Sequence, residues 1–168
     1  MTSDFTPNPP EPLRSDHLLE EFDSGVTALD EWLKRRAYRN QIHGASRTFV
    51  MCEQLHVIGY YALASSAVTT QAAPGKIKRN MPDPIPMVVL GRLAIARSHQ
   101  KLGLGRALFQ DAARRVVYAA EAIGIRGLLV HALSEEAKAF YLALGLEPSP
   151  VDPMTLMTTI ADLRASFL

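Results

Sequence analysis

The sequence predicts an α/β (α+β) fold, a central mixed sheet flanked by helices. Three observations predict it. Apolar runs of strand length alternate with longer stretches whose apolar residues recur at helical spacing, in the order α-β-β-β-α-β-α-β. Gly- and Pro-rich turn signals separate these segments. The run LGRLAIARSHQKLGLGR, residues 90–106, passes from an apolar strand through a Gln-x-x-Gly-x-Gly turn into the start of a helix.

Taken in order, the N-terminal stretch MTSDFTPNPPEPLRSD carries Pro7, Pro9, Pro10 and Pro12. Prolines at that density predict an extended arm over residues 1–20, followed by a single domain over 21–168. The first helix is expected from residue 27 to about 42. There Thr27-x-x-Asp30 resembles a capping signal, and Leu29, Trp32, Leu33 and Ala37 form the apolar stripe. Residues 47–51 (RTFVM) and 56–67 (HVIGYYALASSA) read as strands, with Gly59 marking a bulge or tight turn. Pro74-Gly75 and Pro82-Asp83-Pro84-Ile85-Pro86 predict a loop without regular structure over 69–86. A long central strand follows at 87–96. An amphipathic helix at 103–122 turns Leu104, Ala107, Leu108, Ala112 and Val116 to the core, with Gly124 as its stop. Residues 127–133 read as a buried strand. Ser134-Glu135-Glu136 opens another helix, with a hydroxyl cap and acids at the positive end of its dipole. That helix ends near Gly145, and residues 154–160 form the last strand.

A length of 168 residues favours one core, and 48% hydrophobic residues exclude a disordered chain. No apolar run approaches the ~18 residues of a membrane helix, and the N-terminus has no basic start and no apolar h-region. Cys52 is the single cysteine and cannot form an internal disulfide. It reads as a buried thiol. These features point to the cytoplasm and away from the membrane. The net charge of +1 hides a separation. Residues 1–31 hold eight acids against Arg14 alone, whereas residues 32–115 hold fourteen Lys or Arg against Glu53, Asp83 and Asp111. Such asymmetry suggests an anionic partner, nucleic acid among the options.

The turn at residues 100–105 predicts an anion site. Gly103 and Gly105 let a ligand approach the backbone. Amides from Gly103 to Ala107 open a helix whose dipole favours a bound pyrophosphate, and Lys101 and Arg106 add charge. No GK[ST] follows, so this is no Walker motif. Leu108 stands where a Rossmann fingerprint needs a third glycine. A purely structural glycine turn remains an alternative reading. Leu93, Ala94 and Ile95 end the preceding strand, and a splay there would leave backbone groups to pair with a pantetheine arm.

Gln100, Gly103 and Gly105 match in full the [Gln/Arg]-x-x-Gly-x-[Gly/Ala] signature of the GNAT acetyltransferase superfamily, which this chain resembles. The resemblance implies a central mixed, mostly antiparallel sheet with a splayed strand pair, residues 127–133 forming the far side of the splay. It implies acetyl-CoA as cosubstrate and no metal. The cosubstrate would be held by Leu93, Ala94, Ile95, Gln100, Lys101, Leu102, Gly103, Leu104, Gly105 and Arg106. It also implies Tyr141, in Ala137-Lys138-Ala139-Phe140-Tyr141, as the general acid that protonates the CoA sulfur. The alternative is a core tyrosine, with Phe140 read as the neighbour that faces the core. No general base is evident. Glu53 and His131 are candidates acting through water, although His131 in an apolar strand reads as a core histidine. His43, His56 and His99 lack metal-ligand spacing. A site poor in bases suits an α-amine, whose pKa of about 7.7–8.0 lies well below the ~10.4 of lysine.

A closer resemblance covers roughly residues 20–160. It rests on Phe22-Asp23-Ser24-Gly25, Leu29-Asp30-x-Trp32-Leu33, Arg47-Thr48-Phe49-Val50, Gly59-Tyr60-Tyr61-Ala62-Leu63 and the stretch KRNMPDPIPMVVLGRLAI. These segments are similar to the acetyltransferase toxins of bacterial type II toxin–antitoxin pairs, and most like those that acetylate aminoacyl-tRNA. The resemblance implies transfer of acetyl to the α-amine of aminoacyl-tRNA and inhibition of translation. It also implies a homodimer and a ribbon-helix-helix antitoxin, with operator DNA read only through the antitoxin complex. Lys34, Arg35, Arg36 and Arg39, with Lys76, Lys78, Arg79 and Arg92, would bind tRNA phosphates. On an ideal helix Arg35 and Arg39 share a face, while Arg36 lies nearer the Leu29/Leu33 stripe. Many members carry an acid in a Leu-Ala-Val-Asp pattern, where this chain has Ala96. A GNAT enzyme acting on a protein or small-molecule amine, and a basic module that binds CoA without catalysis, are the competing readings.

Overall fold

The computed structural model describes residues 7–168. Its elements are β1 (Glu11–Pro12), α1 (Thr27–Trp32), α2 (Tyr38–His43), β2 (Arg47–Glu53), β3 (His56–Val68), α3 (Gly75–Lys78), β4 (Ile85–Ile95), α4 (Leu104–Ala119), β5 (Gly127–His131), α5 (Glu135–Ala143), β6 (Glu147–Pro148), β7 (Thr155–Thr159) and α6 (Ile160–Phe167). The strands hydrogen-bond in the order β1-β2-β3-β4-β5-β7-β6. β4 and β5 run parallel, Met87 opposite Gly127 through Leu90 opposite Val130. The pairs β1/β2, β5/β7 and β6/β7 are antiparallel. The chain forms two compact units, one holding residues up to Ala62 with Arg92–Asp111, the other Leu63–Gly91 with Ala112–Leu168.

In the first unit the predicted helix is present, but a π turn over Leu33–Ala37 joins α1 to α2. Leu29, Leu33 and Ala37 recur every four residues and are all buried. An α-helix of 3.6 residues per turn would drift off that spacing. The wider π turn keeps the three on one face. The capping signal resolves differently from its reading: no side chain caps α1 at Val26. Asp30 is itself buried and accepts from Ser24 N at 2.9 Å and Ser24 Oγ at 2.7 Å, so Ser24 fixes the entry to the helix. From Glu11 onward the stretch expected as an extended arm joins the sheet, with Glu11 opposite Val50 and Leu13 buried. Its first six residues lie outside the described residues. The core of this unit gathers Phe22, Leu33, Val50, Cys52, Val57, Tyr60 and Ala94.

In the second unit β7 is buried along its whole length. A Cβ on Gly127 would stand 2.1 Å from Thr158 O, so only glycine permits that approach of β5 to β7. The proline-rich stretch is more ordered than expected. A 3-10 turn covers Thr70–Ala72, and α3 starts directly after Pro74, whose fixed φ suits a helix entry. The Arg126 guanidinium holds α3 by donating to Lys76 O at 2.6 Å and Ile77 O at 3.0 Å. β4 begins at Ile85, two residues earlier than its apolar run suggests. α6 was not expected, and Thr159 Oγ1 caps it by accepting from Asp162 N at 3.0 Å. α4 ends at Ala119, short of Gly124, and Ala107 is exposed rather than core-facing. Among the described residues no helix is long and apolar enough to cross a membrane.

Candidate active site

In the first unit the strand–turn–helix run is built as its sequence predicts. β4 ends at Ile95, Arg97–His99 form one 3-10 turn, and α4 starts at Leu104. The turn between them needs two residues at positive φ, Lys101 (+65°) and Gly103 (+79°). Gly103 accommodates this without strain, whereas Lys101 does so at a cost. Ala107 N makes the first intrahelical bond, to Gly103 O at 3.2 Å. The amides of Leu104 and Gly105 precede that ladder and carry the positive end of the helix dipole. Lys101 and Arg106 are exposed beside them.

Gln100, although exposed, is bonded back to the protein. Its amide nitrogen donates to Ser24 O and to Ile95 O, each at 2.9 Å. Ile95 O is therefore engaged already, although Ile95 was expected to offer backbone groups to a pantetheine arm. Three further ties hold the turn. Arg97 N donates to Asp23 O at 2.8 Å, the Arg97 guanidinium pairs with Asp23 at 3.3 Å, and His99 Nε2 lies 2.6 Å from Glu53 Oε2. Ala96, at the position of the common acid, is buried and donates its amide to Ile58 O at 2.8 Å. Gly59 sits inside a continuous strand, β3, rather than at a turn. An added Cβ there would meet Ile95 Cδ1 at 2.9 Å and Leu108 Cδ1 at 3.2 Å.

Arg92, on the same strand, lies across Trp32 with its guanidinium carbon 4.3 Å from the ring centroid. Trp32 in turn stacks on Tyr60 at 6.0 Å. Burial lowers the Arg92 pKa, but a guanidinium stays charged at neutral pH. The Tyr60 hydroxyl donates to Leu29 O at 2.7 Å, and desolvation pushes its pKa up. The aromatic stack thus fixes a cation on the strand that leads into the turn.

In the second unit Ser134 Oγ caps α5 by accepting from Ala137 N at 3.1 Å, as expected. Tyr141 lies on this helix and is 7% exposed, with the Phe140 ring edge-on to it at 5.1 Å. The adjacent assignments are thereby exchanged: Tyr141 is the buried member and Phe140 the partly exposed one. Burial raises the Tyr141 pKa and keeps the phenol protonated. His131 is exposed at the end of β5, with Nδ1 2.9 Å from Thr155 Oγ1, so it is not a core histidine. Cys52 is a buried thiol, its pKa raised to about 11 by desolvation.

The helix cations fall differently from an ideal helix. Arg35, Arg36 and Arg39 are exposed, and Lys34 is half-buried. Arg36 does not lie along the buried stripe, because the π turn shifts the residues between Leu33 and Ala37. Arg35 pairs with Glu31 at 2.6 Å. In the second unit Lys78 and Arg79 are exposed, and Lys76 lies 3.5 Å from Asp162. Among the described residues one group of metal-ligand type gathers, Glu11, His17 and Cys52. Both ring nitrogens of His17 are engaged there: Nδ1 accepts from Arg14 N at 2.9 Å, and Nε2 lies 2.7 Å from Glu11 Oε1. Sequence reasoning anticipated the strand–turn–helix geometry at residues 90–106 but not the ties from Ser24, Asp23 and Glu53, nor the Trp32–Arg92 stack.

Comparison with known proteins gives a consistent picture. Residues 18–154 match the acetyltransferase (GNAT) domain family. The chain is 50% identical over 144 residues to the tRNA-acetylating toxin of Mycobacterium tuberculosis (strain ATCC 25618 / H37Rv), covering 86% of this chain and 87% of that protein. Its structure is similar to AtaT complexed with acetyl-methionyl-tRNAfMet, with TM-score 0.87 and 34% identity over 95% of this chain and 98% of that one. It is also similar to a tyrosine-to-phenylalanine mutant of the AtaT toxin bound to the C-terminus of the antitoxin AtaR and acetyl-CoA. There the TM-score is 0.81 and the identity 33%, over 94% of this chain and 96% of that one.

Proposed function

Because the chain belongs to the GNAT acetyltransferase family, we propose that it is the toxin of a type II toxin–antitoxin pair. It moves acetyl from acetyl-CoA to the α-amino group of aminoacyl-tRNA and so inhibits translation. The observation that carries this reading is the 50% identity to a tRNA-acetylating toxin across most of both chains.

The chemistry follows from the residues. The amides of Leu104 and Gly105 with Lys101 and Arg106 bind the pyrophosphate, and Gln100 keeps that turn in shape from behind. Leu93, Ala94 and Ile95 line the pantetheine arm. The amine lone pair attacks the thioester carbonyl, the C–N bond forms, and the C–S bond breaks. Tyr141, protonated in its buried setting, gives its proton to the departing sulfur, and the proton that the acylated nitrogen loses passes through water to restore the phenol. The α-amine reaches its neutral form near physiological pH and needs no strong base. Glu53 is paired with His99, and His131 with Thr155, so neither is reserved for that task.

Phosphates of the tRNA bind to Lys34, Arg35, Arg36, Arg39 and Arg92 on one unit and to Lys76, Lys78 and Arg79 on the other. The active species is a cytoplasmic homodimer. A ribbon-helix-helix antitoxin covers its basic surface and carries the complex to operator DNA.

The test uses bulk aminoacyl-tRNA, radiolabelled acetyl-CoA and a lysine-rich peptide as competing acceptor. Label in the tRNA fraction that disappears with Tyr141→Phe is the expected result. Label confined to the peptide, or absent from both, rejects the reading.

A further inference from the structure

In the first unit a groove of about 310 Å³ has Phe22, Val57 and Ile58 among its apolar lining and Glu53, Ser98 and His99 among its polar lining. The last three are joined. Ser98 Oγ lies 2.7 Å from His99 Nδ1, and His99 Nε2 lies 2.6 Å from Glu53 Oε2. An ionised carboxylate only accepts, so Glu53 sets the tautomer: Nε2 carries the hydrogen and Nδ1 presents its lone pair. Ser98 must then donate its hydroxyl hydrogen to Nδ1. A nucleophile, a base within hydrogen-bond reach and a third group that orients the base is the arrangement that activates a serine. The imidazole side chain is only 18% exposed and so held in place, while Ser98 is open to solvent.

We propose that Ser98 is a second reactive centre, a serine that takes an acyl group from an activated acyl ester or thioester entering this groove. Oγ attacks the acyl carbonyl carbon as its proton passes to His99 Nδ1. The C–O bond to Ser98 forms, the bond to the alkoxide or thiolate breaks, and the leaving group takes the proton from His99. Glu53 stabilises the imidazolium in between. The products are O-acyl-Ser98 and a free alcohol or thiol, with no oxidant or metal required. This chemistry uses neither Tyr141 nor the tRNA-binding cations. Only the choice of acetyl-CoA as the donor rests on the function proposed above.

The test has two donors, p-nitrophenyl acetate and acetyl-CoA, each added without tRNA. With p-nitrophenyl acetate, nitrophenolate release should show a burst matching the protein concentration, and peptide mass spectrometry should find one acetyl on Ser98. Ser98→Ala abolishes both signals. His99→Ala slows acylation about 100-fold, the low end of what a general base contributes. His99→Gln, which keeps bulk and hydrogen bonding but cannot serve as a base, is equally slow, and this separates lost chemistry from lost packing. Acylation by the ester alone keeps the reactive serine and removes acetyl-CoA as its donor. No acetyl on Ser98, or equal rates in wild type and His99→Gln, overturns the proposal. Failure of tRNA acetylation in a parallel assay would sink the toxin reading and leave the ester result standing.

Discussion

Gln100 is bonded back to Ile95 across the turn that joins β4 to α4, its side-chain nitrogen 2.9 Å from Ile95 O, and the same amide donates to Ser24 O at 2.9 Å. The glutamine of the signature therefore acts as a brace for the turn proposed to hold the pyrophosphate. Gln100→Ala removes both bonds, at about 1 kcal/mol each. Acetyl-CoA affinity should fall several-fold, with a lower melting temperature. Gln100→Glu should be worse, because a carboxylate would face two carbonyl oxygens. Gln100→Arg keeps donors at that place and should recover much of the binding. Calorimetric titration with acetyl-CoA across the three variants checks the order.

Tyr141 gives a kinetic prediction with a definite sign. Burial raises its pKa, so the phenol stays protonated across the neutral range and can serve as an acid there. The rate should rise as the acceptor α-amine loses its proton, near pH 7.7–8.0, with no fall from Tyr141 ionisation below about pH 10. Tyr141→Phe should lower kcat by about 100-fold or more while acetyl-CoA still binds. A descending limb near pH 9 that vanishes in Tyr141→Phe would contradict the burial argument.

The strand–turn–helix run was legible because hydrophobic periodicity changes within it and two glycines mark the change. Short and non-local features were not. β1 is two residues long and includes a proline, so nothing in its sequence competes with an extended arm. α6 carried a readable Thr159-x-x-Asp162 start, hidden behind the stronger strand signal before it. Asp30 was recognised as a polar residue in the first turn of a helix, but its partner Ser24 lies outside that helix. Tyr141 and Phe140 are adjacent on one helix, where a small rotation decides which is buried. The braces from Glu53 to His99 and from Arg92 to Trp32 depend on how strands pair and how the first helix packs on them, which the sequence leaves open.

Cys52 should be silent in the native protein. Desolvation raises its pKa to about 11, above the usual range of a cysteine thiol. Thiol reagents at pH 8 should modify it only after unfolding. The linkage has a clear sign. Between pH 9 and 11 the folded thiol keeps a proton that the unfolded one has lost, so stability falls as pH rises through that window. The loss is on the order of 2 kcal/mol and should be absent in Cys52→Ala. Urea midpoints at a series of alkaline pH values measure it.

Two glycines separate rigid from yielding neighbours. At Gly127 a new methyl would lie 2.1 Å from the backbone oxygen of Thr158. At Gly59 its tight contacts would be the ends of the Ile95 and Leu108 side chains, at 2.9 and 3.2 Å, with the Ala94 backbone oxygen at an ordinary 3.5 Å. Gly127→Ala should cost more than about 3 kcal/mol, because β5 and β7 must separate. Gly59→Ala should cost about 1–2 kcal/mol. Since Ile95 moves in the second variant, its acetyl-CoA affinity should drop more than its stability implies. Comparable destabilisation by the two changes would mean that β7 can shift.

The exposed cations of the first helix should be distinguishable by salt. Arg36 and Arg39 are exposed, whereas Arg35 is paired with Glu31 at 2.6 Å. Each phosphate neutralised by a protein cation contributes roughly 0.7–0.9 to the slope of log affinity against log salt. Arg36→Ala and Arg39→Ala should each lower the slope for aminoacyl-tRNA by about that amount and raise Kd at low salt. Arg35→Ala should do less, since that arginine must first leave Glu31. Glu31→Gln should release it and tighten binding. Acetyl-CoA affinity should stay constant throughout, because none of these residues belongs to the turn at 100–105 proposed to hold it. Binding isotherms between low and physiological salt give the slopes, and a slope unchanged in Arg36→Ala and Arg39→Ala together would remove this helix from the tRNA surface.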